Sequence, residues 1–486
     1  MTNQEDHSNV LIPQQLSHKS ISQDGVTTST NPRDVISRRT ESLFDAGARY
    51  RLPMREGTLC MSSSSASIQL PDLSSLIRPF QLRTNPACRT TTLASHSHFL
   101  TPNTNTPLTP TELTLLPTSK FALLASLCFP TCDPPQLLLL TNFLTLLTFA
   151  HLRFLNATTP EQCGWSTTSS SSDSSTSGID ILAEHELFKN ISADLSRFSS
   201  RAPPNWHANF AAHAAAYRHA QLNALQPPPP HQGEYTEEAR QQTLTDTFIS
   251  QRRHTSGAYL LFDLIQLALG HRIPVSSELN PSNPPGVELK ILSQVDIMKS
   301  LAADIVALSS DLVSYNSFQS TTAPHQHKLP HNAISLCMHA KHLSAQGATN
   351  QIARLVKQKI QDFLEAEQTL QSFHPSRYPP VDDFRSSGDR SPALYSWIKL
   401  PIQTLSGLLS SSPSTPTTTT SCQSDDSDEH HVKLFLDAAD TVQVLRDYIA
   451  GAVHWFYETE LYFGTKGEEV RTFGWVFLNA PPVTGL

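Results

Sequence analysis

The chain has 486 residues, a net charge of −8 and only 16% charged residues, against about a quarter in ordinary soluble proteins. With no Lys/Arg cluster long enough to track a phosphate backbone, that balance excludes a nucleic-acid binder. Its 35 prolines and its visible Ser/Thr runs mark a globular core interrupted by low-complexity inserts.

Residues 1 to about 66 are polar, show no apolar periodicity and end in Ser62-Ser63-Ser64-Ser65. They cannot bury enough surface to offset their ordering entropy, which predicts a disordered tail ahead of one helical domain over 67–486. The start Met-Thr-Asn-Gln-Glu-Asp has neither a basic nor an apolar leader region, and the seven cysteines (60, 88, 128, 132, 163, 337 and 422) contain no C-x-x-C pair. Reduced thiols in a cytoplasmic protein are expected. Without a secretory signal, the acceptor tripeptides at Asn156 and Asn190 are chance matches.

Pro134-Pro135 opens a helix on which Leu137, Leu140, Leu144, Leu147 and His151 recur at 3,4 spacing. Its apolar run, Leu137 to Phe149, contains Thr and Asn and is closed by His151 and Arg153. That pattern predicts a buried core helix and no membrane span. A Ser-rich insert covers about 166–178. The next helix follows Pro203-Pro204, with Trp206, Phe210, His213, Ala214 and Tyr217 on one stripe, and stops at the proline run in 227–233. Gly257 to Leu269 gives another helix, ended by Gly270. Leu301, Ile305, Leu308, Leu312 and Tyr315 lie on a further one, and Ile352 to Phe363 and Leu434 to Phe463 supply long helices near the end, separated by a Ser/Thr-rich and then acidic loop at 410–429. No stretch alternates with period two. An all-α bundle is the class that fits.

Several segments in order carry a resemblance. They are Leu70-Pro71-Asp72 with Arg83-Thr84-Asn85-Pro86, Cys132-Asp133-Pro134-Pro135, Arg252-Arg253-His254-Thr255-Ser256-Gly257, Ser310-Asp311-Leu312-Val313-Ser314-Tyr315-Asn316-Ser317-Phe318, His331-Asn332, and His454 through Gly464. Together they resemble the fungal-type class I terpene cyclases, the sesquiterpene synthases, from about Leu70 to Val470. The resemblance implies the class I α-helical bundle and a Mg2+-dependent enzyme, acting as a monomer or homodimer. The implied substrate is an isoprenoid diphosphate, farnesyl diphosphate, which the enzyme ionises and cyclises to a sesquiterpene.

That chemistry needs positive charge around a departing diphosphate and a dry aromatic cavity around the cation. By resemblance, Arg253 is the diphosphate-sensing Arg, helped by Arg252. Gly257 is the residue whose carbonyl senses ionisation at a helix break, and Tyr462 is the Tyr of an Arg-Tyr pair in which Leu461 replaces the Arg. Phe149, His151 and Trp455 are candidate cavity residues. The metal motifs are degenerate. In the family one helix carries Asn-Asp-x-x-Ser-Tyr-x-x-Glu; here Ser310, Ser314 and Phe318 occupy the ligand positions, with Asp311 the nearby charge, while His151, Leu152 and Leu155 stand where the aspartate-rich helix has carboxylates. Mg2+ prefers hard oxygen ligands.

Each of these residues has a structural reading beside the functional one. His151 is a hydrogen-bonded core residue, Ser314 and Asp311 satisfy polar contacts, Arg252-Arg253 is an exposed basic pair, and the aromatics are core. The alternatives for the whole chain are a catalytically impaired relative that at most binds isoprenoid diphosphate, a wrongly joined gene product, and a scaffold built on the low-complexity loops. His151, Ser314 and Arg253 are expected to converge on one cavity mouth.

Overall fold

In the computed structural model, which describes residues 67–101, 106–166, 177–226, 237–270, 286–321, 331–374 and 425–478, the long helices begin where the chain supplies its own start signal. The expected tail at 1–66, the proline insert at 227–233 and most of the other two inserts lie outside the described residues. Helix α1 is Phe121–Cys128, and α2 is Pro134–Asn156, with Pro134 at its first position and the Asp133 N–H donating to Gln136 Oε1 at 3.4 Å. Helix α3, Pro204–Ala224, follows Pro203 in the same way. Helices α4 (Glu237–Thr255) and α5 (Ala258–Leu269) are separated by Gly257 in the left-handed region, at φ 70°. Gly270, also left-handed, ends α5 and donates its N–H to the Gln266 and Leu267 carbonyls.

Helix α6, Val287–Thr321, is the longest at 35 residues. It is apolar nearly all round between Leu301 and Leu308, so it must be covered on every side. It packs against α8 (Ala345–Gln371) and α9 (Asp425–Glu458), and also against α4 and α7 (Ala333–Lys341). Helix α2 packs against α1 and α5, and α1 lies on α9. Two-thirds of the apolar stretch of α2 is buried inside this assembly, which accounts for its membrane-like composition. Among the described residues no disulfide joins Cys88, Cys128, Cys132, Cys163 and Cys337.

Two details differ from the expectation. Residues 425–429, read as loop, begin α9; an acidic run at a helix N-terminus is favoured by the backbone dipole, so polarity there marks a helix start. A small antiparallel sheet joins β1 (Ser67–Gln69) to β2 (Trp475–Phe477), with Ser67 opposite Phe477. Three-residue strands are too short for a period-two signal.

Candidate functional site

The residues singled out from sequence fall into two groups, divided by the phase of α4. Adjacent positions on a helix point about 100° apart, so Arg252 and Arg253 face different neighbours. Arg252 is buried at 5% exposure and turns to Asp311 on α6, whose Oδ1 accepts from Arg252 Nε at 3.1 Å and Nη2 at 3.0 Å. The same Nη2 lies 3.2 Å from His151 Nε2 on α2. Arg253 instead forms a fork with Asp304, Nε to Oδ1 and Nη2 to Oδ2 both at 2.8 Å, and Lys359 adds a third contact to that carboxylate at 3.1 Å. Asp304 precedes Asp311 by about two turns of α6. His151, Arg252 and Asp311 are therefore brought together, and Arg253 is held elsewhere.

Asp311 is the hub of the first group. Its Oδ2 accepts the Ala333 N–H at 3.0 Å, and its backbone carbonyl accepts from Asn332 Nδ2 at 2.8 Å. Asn332 in turn caps α7 by accepting the Ile334 N–H. Burial raises the Asp311 pKa, while Arg252 and the Ala333 N–H oppose the rise. His151 is shifted well below its ordinary range, first by burial and then by the charge of Arg252. Since its Nε2 faces a guanidinium N–H, the neutral ring carries its proton on Nδ1. Neither His151 Nδ1 nor Arg252 Nη1 has a hydrogen-bond partner among the described residues, although both are buried.

Ser310 shares a hydrogen bond with the Tyr462 hydroxyl, whose pKa burial pushes up to about 12. Ser314 sits one turn beyond Ser310, half-buried; the side chain of Phe318 lies outside the described residues. Phe149 and Trp455 are buried and joined through Phe121, with ring centroids 5.4 and 5.9 Å away, and Trp455 Nε1 donates to the Ser119 carbonyl at 2.9 Å. In the described structure they are packed core. Gly257 does form the break between α4 and α5, and a Cβ there would lie 2.5 Å from Leu147 Cδ1. The sequence reading missed Asp304, although a carboxylate seven positions before Asp311 on one helix face was the available signal. Asn332 was seen only as part of an anchor.

The donor set does not suit Mg2+. The Asp311 carboxylate is spent on Arg252 and Ala333, the Ser310 hydroxyl on Tyr462, and His151 offers nitrogen where hard oxygen is wanted. Among the described residues no group of three or more His, Cys, Asp or Glu is placed to hold a metal.

Residues 182–362, which include α4, α5 and α6, match the family model described as terpene synthase family 2, C-terminal metal binding. A similar protein, sesquiterpene synthase 6 of Postia placenta, is 25% identical over 419 residues, covering 85% of this chain and 95% of the relative. The chain is thus similar to sesquiterpene synthases along most of its length, and its residues 182–362 carry the terpene synthase family 2 match. Alpha-muurolene synthase of Coprinopsis cinerea is also 25% identical, over 239 residues that span 49% of this chain and 39% of that protein. Among solved structures, a cucumene synthase aligns over 79% of this chain and 99% of its own at a TM-score of 0.49 and 15% identity. The His151–Arg252–Asp311 cluster draws Arg252 and Asp311 from the segment that matches the terpene synthase model, and His151 from α2, before it.

Proposed function

We propose that this terpene synthase relative binds an isoprenoid diphosphate of farnesyl length at the His151–Arg252–Asp311 cluster and is impaired in ionising it. One observation carries the reading: Arg252 Nη1 and His151 Nδ1 are both buried and have no hydrogen-bond partner among the described residues. An unpaired buried donor costs free energy, and an anion that accepts from both removes the cost. The guanidinium fork suits diphosphate oxygens, and Asp311 fixes its orientation. Farnesyl length is supported by the sesquiterpene names of the relatives.

The impairment follows from charge. Cleaving an allylic diphosphate requires the departing anion to be neutralised, and losing one such donor costs roughly 10²–10³ in rate. Here the carboxylates expected at 151, 152 and 155 are replaced by His and Leu, and Leu461 stands in place of an Arg. A second reading, Mg2+-dependent cyclisation of farnesyl diphosphate, is favoured by the metal-binding description of the matched family model.

Gas chromatography of products formed with Mg2+ present decides between them. The expected output of the unmodified chain is near background, whereas farnesyl diphosphate binds with or without EDTA. Robust terpene output overturns the impaired reading in favour of the second; failure to bind the diphosphate at all overturns both.

A further inference from the structure

The two-stranded sheet has two outer edges, and the chain treats them differently. In an antiparallel ladder, alternate residues turn their N–H and C=O groups toward the neighbouring strand and away from it. The Leu70 N–H donates to the Gly474 carbonyl at 2.7 Å, which puts Ile68 and Val476 on the inward phase and Gln69, Trp475 and Phe477 on the outward one. On β1 the outward groups of Gln69 are covered: its N–H donates to Gln346 Oε1 at 2.7 Å, and its carbonyl accepts from Gln346 Nε2 at 3.0 Å. A side-chain amide on α8 thus stands in for a further strand. On β2, among the described residues, no hydrogen bond reaches the outward groups of Trp475 or Phe477. The side chains at that open edge are large and apolar. Trp475 is 52% exposed, Phe477 67%, and Phe473, at the end of the helix Gly467–Phe473, 65%. Scattered exposed aromatics need no explanation, but three within 473–477, beside an open strand edge, do.

We infer that this edge is an interface with a second copy of the chain, in which β2 pairs antiparallel with the same strand of the partner about a two-fold axis through Val476. A three-residue strand whose first and third residues carry the outward groups is self-complementary. Trp475 of each copy exchanges both backbone hydrogen bonds with the partner's Phe477, and the rings meet aromatic to aromatic on one face. Any other register within the strand leaves outward groups unmatched. Charge does not oppose the pairing, since Lys466, Glu468, Glu469 and Arg471 in the preceding segment balance. A lipid surface matches less well: the basic excess that would favour it is missing, and unpaired backbone groups are costly in hydrocarbon. The aromatic area sets the strength. At roughly 150–250 Å2 per aromatic side chain, the three leave on the order of 350 Å2 exposed per copy. Two copies together cover about 700 Å2 of ring surface, below the roughly 1,200 Å2 at which stable interfaces begin. The dimer is therefore reversible and depends on concentration.

Analytical ultracentrifugation of the full chain across a concentration series tests this. The mass is expected to rise from that of one copy toward that of two between about 1 and about 100 μM. Trp475→Lys combined with Phe477→Lys sets like charges opposite one another and should abolish the rise, as should Trp475→Glu combined with Phe477→Glu. An equimolar mixture of the two variants should restore it. Both positions are exposed, so the melting temperature of either variant in dilute solution should match that of the wild type. As a measurement needing no variant, hydrogen exchange should show the Trp475 and Phe477 amides gaining at least about tenfold protection over the same concentration range, while Val476, already on the inward phase, does not change. One copy at every concentration overturns the inference. So does a dimer that survives the Lys variant, which would place the interface on another face. Protection of the 475 and 477 amides at every concentration also overturns it, because residues 479–486 of the same copy would then fill the edge. Binding to phosphatidylcholine vesicles without self-association overturns it in favour of a lipid surface.

Discussion

Replacing Asp311 with Ala should be among the most damaging single changes outside the apolar core. Its carboxylate is buried and accepts three hydrogen bonds, two from Arg252 and one from the Ala333 N–H. Removing it leaves a buried guanidinium whose remaining described contact is a neutral imidazole. Stranding one member of a buried ion pair costs about 3–5 kcal/mol, and the freed Ala333 N–H pushes toward the upper end. Replacing both members, Arg252→Met with Asp311→Leu, removes the charges together and should cost less than either single change. The difference reads out as a coupling energy in the double-mutant cycle. The assay is urea unfolding followed by circular dichroism. With a slope of about 3 kcal/mol per molar urea, the single variant should lower the midpoint by roughly 1 M. A shift below about 0.3 M, or a double variant as unstable as the sum of the singles, would refute the view that this pair is tightly coupled in the interior.

His151→Gln should flatten the acid side of the stability profile. The folded pKa of His151 lies well below its unfolded value of about 6.5, so the unfolded chain takes up the proton first and stability falls as pH drops from that value toward the folded pKa. The variant should lose up to about 1.4 kcal/mol per pH unit of that slope, measured by urea midpoints at pH 7.5, 6.5 and 5.5; an unchanged slope removes His151 as a contributor. Gly257→Ala should destabilise by about 1–2 kcal/mol from left-handed backbone alone, and more from the clash with Leu147, so that Gly257→Ala combined with Leu147→Ala should lower the melting temperature by less than the sum of the two single changes. Arg252→Lys should weaken pyrophosphate binding at least tenfold, whereas Arg253→Lys, which breaks the fork to Asp304, should lower stability by about 1–3 kcal/mol and leave that binding alone. The opposite pattern in calorimetry would return the diphosphate to Arg253.

The helices were legible where the chain marks its own ends. Pro134 and Pro204 open their helices, and Gly257 and Gly270 flank α5, because these are local backbone preferences that no distant contact has to supply. Which of Arg252 and Arg253 turns to Asp311 and which to Asp304 was not legible. It depends on the rotational phase of α4 against α6, which is set by packing across the bundle and not by spacing from Gly257. Phe149 and Trp455 show the same limit: an aromatic at helical spacing is on the inner face, but whether the space before it is empty or filled depends on Phe121, which lies on another helix. Asp304 escaped notice because nothing nearby in sequence announces that two cations, Arg253 and Lys359, will close on it.

The pairing of β1 with β2 ties residue 67 to residue 477, so the chain enters and leaves the bundle at adjacent points. Closing a loop of that length is entropically unfavourable until the helices between are in place, so the strand pair is expected to form late in folding and to separate early under stress. Adjacency of entry and exit also makes the molecule a natural candidate for circular permutation: a short linker between those strands, with new termini opened in a connection between helices, should preserve every interhelical contact. A permuted chain that keeps its melting temperature would show that the bundle's order is carried by its interior alone, and that the two-stranded clasp serves mainly to gather the ends.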